Sequence, residues 1–240
     1  MIHYIVMDLE LNQDLPEQAP FRYEIIQIGA KKLDFDLNTI EIFNSLIKPA
    51  FSPVISPLVT ELTGITADVL SSEKPFTDVF EAFTHLFDSD SVFCTWGMFD
   101  LKALYQMASF YQLKTDQLPS RYIDIQQYAT AHFSLPSKAQ IGLQHACERF
   151  EIATPYPFHN ALYDAYYTTK ILRRLDSSVL LSKKYDPTFQ RTAERQAKQT
   201  IDFEQLFLQV EKMYERVLTE EEKGIIRLAY RMGRTRQFLR

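Results

Sequence analysis

Four carboxylates and one imidazole carry the chemistry of this chain: Asp8 and Glu10 in VMDLELN, Asp100 in TWGMFD, and Asp164 with His159 in FHNALYDAYYTTKIL. Asp8 and Glu10 are two apart in an otherwise apolar stretch, so on a strand both leave the same face and can share one cation. Buried without a partner, the two would cost several kcal/mol. Either the pair marks a solvated strand end or something positive sits between them. Asp100 opens a helical stretch, as a cap, a first-turn acid or a ligand. Asp164 lies one turn inside a helix, as a solvated acid or as a ligand reaching into a cleft. His159, just before that helix, is either a packed side chain or a base poised near neutrality. Taken together, four acids and an imidazole are what hydrolysis of a phosphodiester by two divalent ions requires, and the chain reads as a nuclease.

These residues need a sheet edge to converge on. Apolar runs predict three strands with short connections, His3–Leu11, Tyr23–Phe35 and Glu41–Lys48, hence an antiparallel meander interrupted by the proline-bearing Asn12–Pro20. The period then lengthens, predicting helices at Ser56–Thr63 and Phe76–Phe87. A short buried strand follows at Ser91–Thr95, with further helices at Phe99–Tyr111, Asp124–His132, Ile141–Phe150 and Asn160–Leu175. A strand between helices after a meander gives a mixed sheet flanked by helices, an α/β fold. Ser182–Pro187 is read as a boundary between a domain at 1–182 and a helical extension at 183–240, with helices about Asp202–Leu218 and Glu220–Met232.

Composition agrees with an ordinary globular chain of 240 residues, 46% hydrophobic and 24% charged, which excludes a disordered tract. Cys94 and Cys147 lie in apolar segments without CxxC spacing, so they read as buried thiols of a reducing compartment, and a cytoplasmic location is expected. No apolar run approaches the ~20 residues of a membrane span. The formal net charge of −5 is unevenly spread: residues 183–240 hold 13 basic and 9 acidic side chains. Metal bound to the acids would neutralise them toward phosphate, which makes the global sign a weak guide to nucleic-acid binding.

The motifs DLEL, TWGMFD and HNALYD resemble, in order and spacing, the three exonuclease motifs of the DEDDh 3′–5′ exonuclease superfamily, over about residues 2–175. The resemblance implies a ribonuclease H-like, five-stranded mixed sheet. It implies two Mg²⁺ or Mn²⁺ ions, with Asp8 bridging both, Glu10 and Asp164 on the ion that activates water, Asp100 on the second ion through water, and His159 as general base. EIIQIGAKKLD resembles the second strand, with Glu24 at an often acidic position. LTGIT at Leu62–Thr66 resembles the segment lining the pocket for the 3′-terminal nucleotide. Leu11, Asn12, Leu62, Thr63, Ile65, Phe99 and His159 are therefore expected at the substrate. Many relatives carry Thr or Ala-Thr where this chain has Leu11 and Asn12, a departure that bears on substrate preference. TWG with LTGIT resembles the subgroup of the histone-mRNA exonuclease, tilting the expectation toward RNA.

The expected activity is 3′–5′ release of nucleoside 5′-monophosphates from single-stranded RNA or DNA ends, RNA or short oligonucleotides favoured. The competing readings are a non-catalytic regulator that binds RNA or protein, and an endonuclease of the ribonuclease H type. Dimeric relatives keep a homodimer open. From Arg227 to Arg240 there are five arginines (227, 231, 234, 236 and 240) and no acid, interleaved with Tyr230 and Phe238. That composition suits phosphate contact and base stacking, or equally the solvated basic face of a helix packed on the body.

Overall fold

Alternation of apolar side chains in the first fifty residues builds strands β1 (His3–Gln13), β2 (Tyr23–Leu33) and β3 (Thr39–Leu46). The computed structural model describes residues 2–13, 15–136, 139–176, 179–187, 203–214, 216–220 and 222–226. Helices α1 (Pro57–Thr63), α2 (Ala67–Ser71) and α3 (Phe76–Thr84) lead to β4 (Ser91–Thr95) and α4 (Phe99–Phe110). Then come β5 (Arg121–Asp124), α5 (Ile125–His132), α6 (Leu143–Arg149), α7 (Ala161–Leu172) and β6 (Lys183–Lys184). The sheet order is β3-β2-β1-β4-β5-β6. β1, β2 and β3 form the expected antiparallel meander, whereas β4 runs parallel to β1 and β5 parallel to β4.

The chain divides into two compact units, Met1–Phe189 and Gln190–Arg240. In the second, α8 (Phe203–Tyr214) is followed by a helical turn at 222–226. There the Arg216 guanidinium donates to both Glu222 oxygens at 3.0 and 2.5 Å. The arginine-rich stretch 227–240 lies outside the described residues.

The sheet has six strands where five were expected, and Lys183–Lys184, assigned from sequence to the extension, pairs with β5 in the first unit. The edge is held by side chains far away in sequence: Arg121 donates from Nε to Ser182 Oγ at 2.8 Å and from Nη2 to the Ser182 carbonyl at 2.7 Å. Of β5, only its last residue, Asp124, was assigned from sequence, as the start of a helix. Asp124 ends the strand and caps α5, accepting from the Gln127 N–H at 3.1 Å.

Two faces of β1 do different work. Ile5, Met7, Leu9 and Leu11 pack with Phe80 and Phe83 of α3 and Leu101 and Leu104 of α4. Val6 joins Ala165, Ile171 and Leu172 of α7 in a second core. Asp8 and Glu10 alternate in step with Val6, so they face the side that α7 covers. A bulge between Glu10 and Leu11 leaves Ile26 of β2 without a partner across the ladder. Ile26 instead packs with Ile55, Val59, Ile65 and Leu70, which seats α1 and α2 beside the end of β1.

α7 lies so close to β2 that only glycine fits beneath it. A Cβ on Gly29 would sit 2.1 Å from the Leu162 nitrogen and 2.2 Å from the Ala161 carbonyl carbon, both backbone atoms. Gly29 is directly opposite Asp8, so this contact sets the height of the helix over the first acid. Gly29→Ala is expected to cost about 3 kcal/mol or more, because the helix must be lifted off the sheet rather than a side chain moved. Urea unfolding measures this; a variant as stable as the parent would show that α7 can rise freely.

Candidate active site

Each acid arrives on a different element, and each arrival has a local cause. Asp8 and Glu10 point to one face because they are two apart on β1. Asp100 is in the first turn of α4, directly beyond the carboxyl end of β4, and is 9% exposed. Asp164 is in the first turn of α7, whose start is fixed by Asn160: its Oδ1 accepts from the N–H groups of Leu162 and Tyr163 at 3.2 and 3.4 Å. Gln27, opposite Glu10, accepts from the Ala161 N–H at 3.2 Å and donates to Asn44 Oδ1 at 2.9 Å, tying the helix to the strands. The result is one carboxylate oxygen from each of Asp8, Glu10 and Asp164, all within 4.8 Å of one another.

Crowding and burial make the four acids hard to ionise together. Burial, followed by the charges of Asp100, Asp164 and Glu10, holds the Asp8 carboxyl well above the usual range. Glu10 is pushed up to about 8 by burial and then by Asp164 and Asp100. Burial and Asp164 raise Asp100 to about 7, and burial raises Asp164 to about 6 against the opposing hydrogen bond from the His159 N–H. Among the described residues no lysine or arginine pairs with any of the four. Asp164 Oδ1 is buried with no hydrogen-bond partner. An acceptor orphaned beside three other carboxylates fits an oxygen-loving divalent cation such as Mg²⁺ or Mn²⁺.

His159 is exposed and adopts a left-handed backbone, φ 63°. That conformation is uncommon for a residue with a side chain. It aims the His159 N–H at Asp164 Oδ2, 3.2 Å away, and leaves the imidazole on the solvent side of the loop next to the acids.

The other expected substrate residues divide into two kinds. Phe99 and Leu62 are about half exposed, and Phe99 meets Tyr23 edge-on at 5.0 Å. Thr63 is partly exposed, with its hydroxyl donating to the Val59 carbonyl at 2.7 Å. Leu11 and Ile65 are buried, in separate apolar clusters. Asn12 was expected beside the terminal nucleotide, but it is 0% exposed. Its amide donates to the Val54 carbonyl at 3.0 Å and accepts from the Ser56 N–H at 2.9 Å. Glu24, opposite Asn12, accepts from the backbone N–H groups of Ala50 and Phe51. These two side chains therefore clamp the 50–56 segment that leads into α1, and Asn12 shapes the site from behind it.

Gly29, Gln27 and Asn160 were missed as site residues in the sequence. Asn160 had a signal as a helix cap; Gly29 and Gln27 matter only through a helix more than 130 residues away, as the Gln27–Ala161 bond shows.

The profile of the exonuclease family typified by RNase T matches residues 5–172. The chain belongs to this exonuclease family. It is 29% identical over 180 residues to the PolC-type DNA polymerase III of Streptococcus pyogenes, a match that takes in 71% of this chain and 12% of the polymerase. Its fold resembles the nuclease domain of 3′hExo, a DEDDh family member bound to rAMP, at TM-score 0.66 and 20% identity over 77% of this chain and 97% of that one. It also resembles exonuclease I, at TM-score 0.62 and 17% identity over 73% and 42% of the two chains. The chain thus has the ribonuclease H-like α/β fold and the exonuclease-family membership expected from its motifs. Among its described residues no helix is long and apolar enough to cross a membrane.

An acid whose pKa is higher folded than unfolded binds its proton more tightly in the fold, so its stabilising effect is lost as pH rises through the folded pKa. For Glu10 that window runs from the ordinary 4.5 to about 8. The metal-free exonuclease is expected to melt at a lower temperature near pH ~8 than near pH ~5, with added Mg²⁺ or Mn²⁺ raising the melting temperature more at the higher pH. Calorimetry in both buffers checks this, and a metal effect that shrinks as pH rises would contradict it.

Proposed function

We propose that this exonuclease degrades single-stranded nucleic acid from the 3′ end and releases nucleoside 5′-monophosphates, RNA or short oligonucleotides being preferred. The observation that carries the reading is the crowding of four mutually repelling acids, three of them with oxygens within 4.8 Å of one another, beside an orphaned Asp164 oxygen. A binding-only protein has no use for that arrangement. Two divalent ions would supply water activation and charge neutralisation at the attacking and leaving oxygens. Asp8 would hold both, Glu10 and Asp164 one, and Asp100 the other through water.

The remaining work falls to the chain itself. His159 takes the proton of the attacking water on its imidazole, a role worth roughly 10²–10⁴ in rate. Water oxygen bonds to phosphorus, the bond to the 3′ oxygen of the shortened strand breaks, and the mononucleotide leaves with its 5′ phosphate. Leu62 and Phe99, each about half exposed, present an apolar wall to the terminal nucleotide, with the buried Leu11 and Ile65 behind them and the Asn12 and Glu24 clamp holding the 50–56 segment. Substrate preference draws support from both directions. A fold neighbour is described as a 3′-exonuclease recognising the 3′ end of the histone mRNA stem-loop, whereas the sequence relatives are DNA polymerases, which supports a second reading as a DNA exonuclease.

With Mg²⁺ or Mn²⁺, a 5′-labelled single strand is expected to shorten progressively from its 3′ end, and Asp8→Ala to abolish this. His159→Ala is expected to lower kcat by about 10²-fold or more while metal binding persists. Internal cuts appearing first would point to an endonuclease, and inertness on matched RNA and DNA strands to a binding protein. For the arginine-rich tail, truncation after Phe189 is expected to weaken binding and flatten its salt dependence; unchanged affinity would assign the tail no contact with the strand.

A further inference from the structure

Asp8 and Glu10 lie in the second half of β1 and Asp100 just beyond the carboxyl end of β4, and the same sheet edge continues past them. Where the ends of β4 and β5 meet at the Thr95–Asp124 pair, a groove of about 440 Å³ opens between Trp96, Phe99, Lys102, Gln126 and Gln140. A second hollow of about 400 Å³ shares Gln126 and Gln140 and runs on to Gln127. These are volumes of small-ligand sites, in the crevice where parallel strands of α/β sheets take their ligands.

The lining is organised in advance. The Ile141 carbonyl accepts from Trp96 Nε1 at 3.2 Å and from Gln126 Nε2 at 2.9 Å, so indole and amide are locked to one point. Gln126 Oε1 remains an acceptor, packed over Gly97, where a Cβ would come within 2.9 Å of it. Gln140 and Lys102 are exposed, and neither side chain has a hydrogen bond or ion pair among the described residues. At the far end Lys183 Nζ donates to Gln127 Oε1 at 2.9 Å. Asp124, which also lines the groove, has its carboxylate engaged in capping α5. The groove therefore offers amides for base edges, the Trp96 indole for stacking, Phe99 at its border with the terminal-nucleotide side, and a cation at each end for phosphates.

The geometry points to this groove as the seat of the nucleotides on the 5′ side of the scissile phosphate, with Gln126 and Gln140 at base edges and Lys102 and Lys183 at the backbone. The assignment rests on the exonuclease reading and extends it from cutting to strand length: terminal nucleotide on the α1 side of the acids, upstream strand on the β5 side.

The test is binding of fluorescent single strands to the full chain carrying Asp8→Ala, which removes turnover. Adding Lys102→Ala and Gln140→Ala, both at exposed side chains that hold nothing in the fold, is expected to weaken a decamer roughly tenfold and to leave a dinucleotide unchanged. Unchanged decamer affinity overturns the proposal, and so does an equal loss at both lengths, which would move these residues to the terminal pocket. Hydrolysis with Asp8 intact is recorded separately. A chain that shows the length-dependent loss yet never cuts would keep the groove and lose the exonuclease reading.

Discussion

Electrostatic repulsion among four carboxylates is the constraint on which the rest of the structure depends. Charges a few ångströms apart at a partly water-excluded edge repel strongly, since neither solvent nor counter-charge screens them. The fold nevertheless brings Asp8, Glu10, Asp100 and Asp164 together on three elements, and no described cation of the protein relieves them. Such a cluster is tolerable protonated or with a bound cation, and the proposed function takes the second as the working state. Stability lost at the site is offset by the two apolar cores on either side of the sheet.

Holding the acids together is a backbone problem before it is a side-chain one. β1 supplies two acids by strand alternation alone. The third and fourth must come from helices, and each is placed by where its helix starts: α4 directly after β4, α7 at the Asn160 cap. The close approach of α7 to Gly29 and the Gln27 bond to Ala161 convert that start point into a height above Asp8. His159 lies at the same junction, and its left-handed backbone satisfies an Asp164 oxygen while the residue stays exposed. One short segment thus positions together the proposed ligand and the proposed base.

The substrate side is built by different means. The bulge beside Glu10 turns Ile26 toward α1 and α2, and the Asn12 and Glu24 pair grips the segment that leads into them. Change there leaves the acids untouched and, on the proposed function, bears on which strand is accepted. Leu11 and Asn12 fall on this boundary, with Leu11 in the core and Asn12 in the clamp.

By itself the sequence determined the meander, most helices and the exonuclease family, and singled out the five candidate residues, because alternation, helical period and motif spacing are local properties. Tertiary structure decided what those patterns could not carry. Asn12 looked like a loop residue at the substrate and proved to be a buried strand residue, because its partners are 42 and 44 residues away. β5 is four residues long and β6 two, too short for a periodic signal, and both exist only through pairing. Gly29 is one glycine in a strand until a helix lands on it. Whether four acids form a site or four solvated side chains depends on distances between elements far apart in sequence, and packing alone sets those distances.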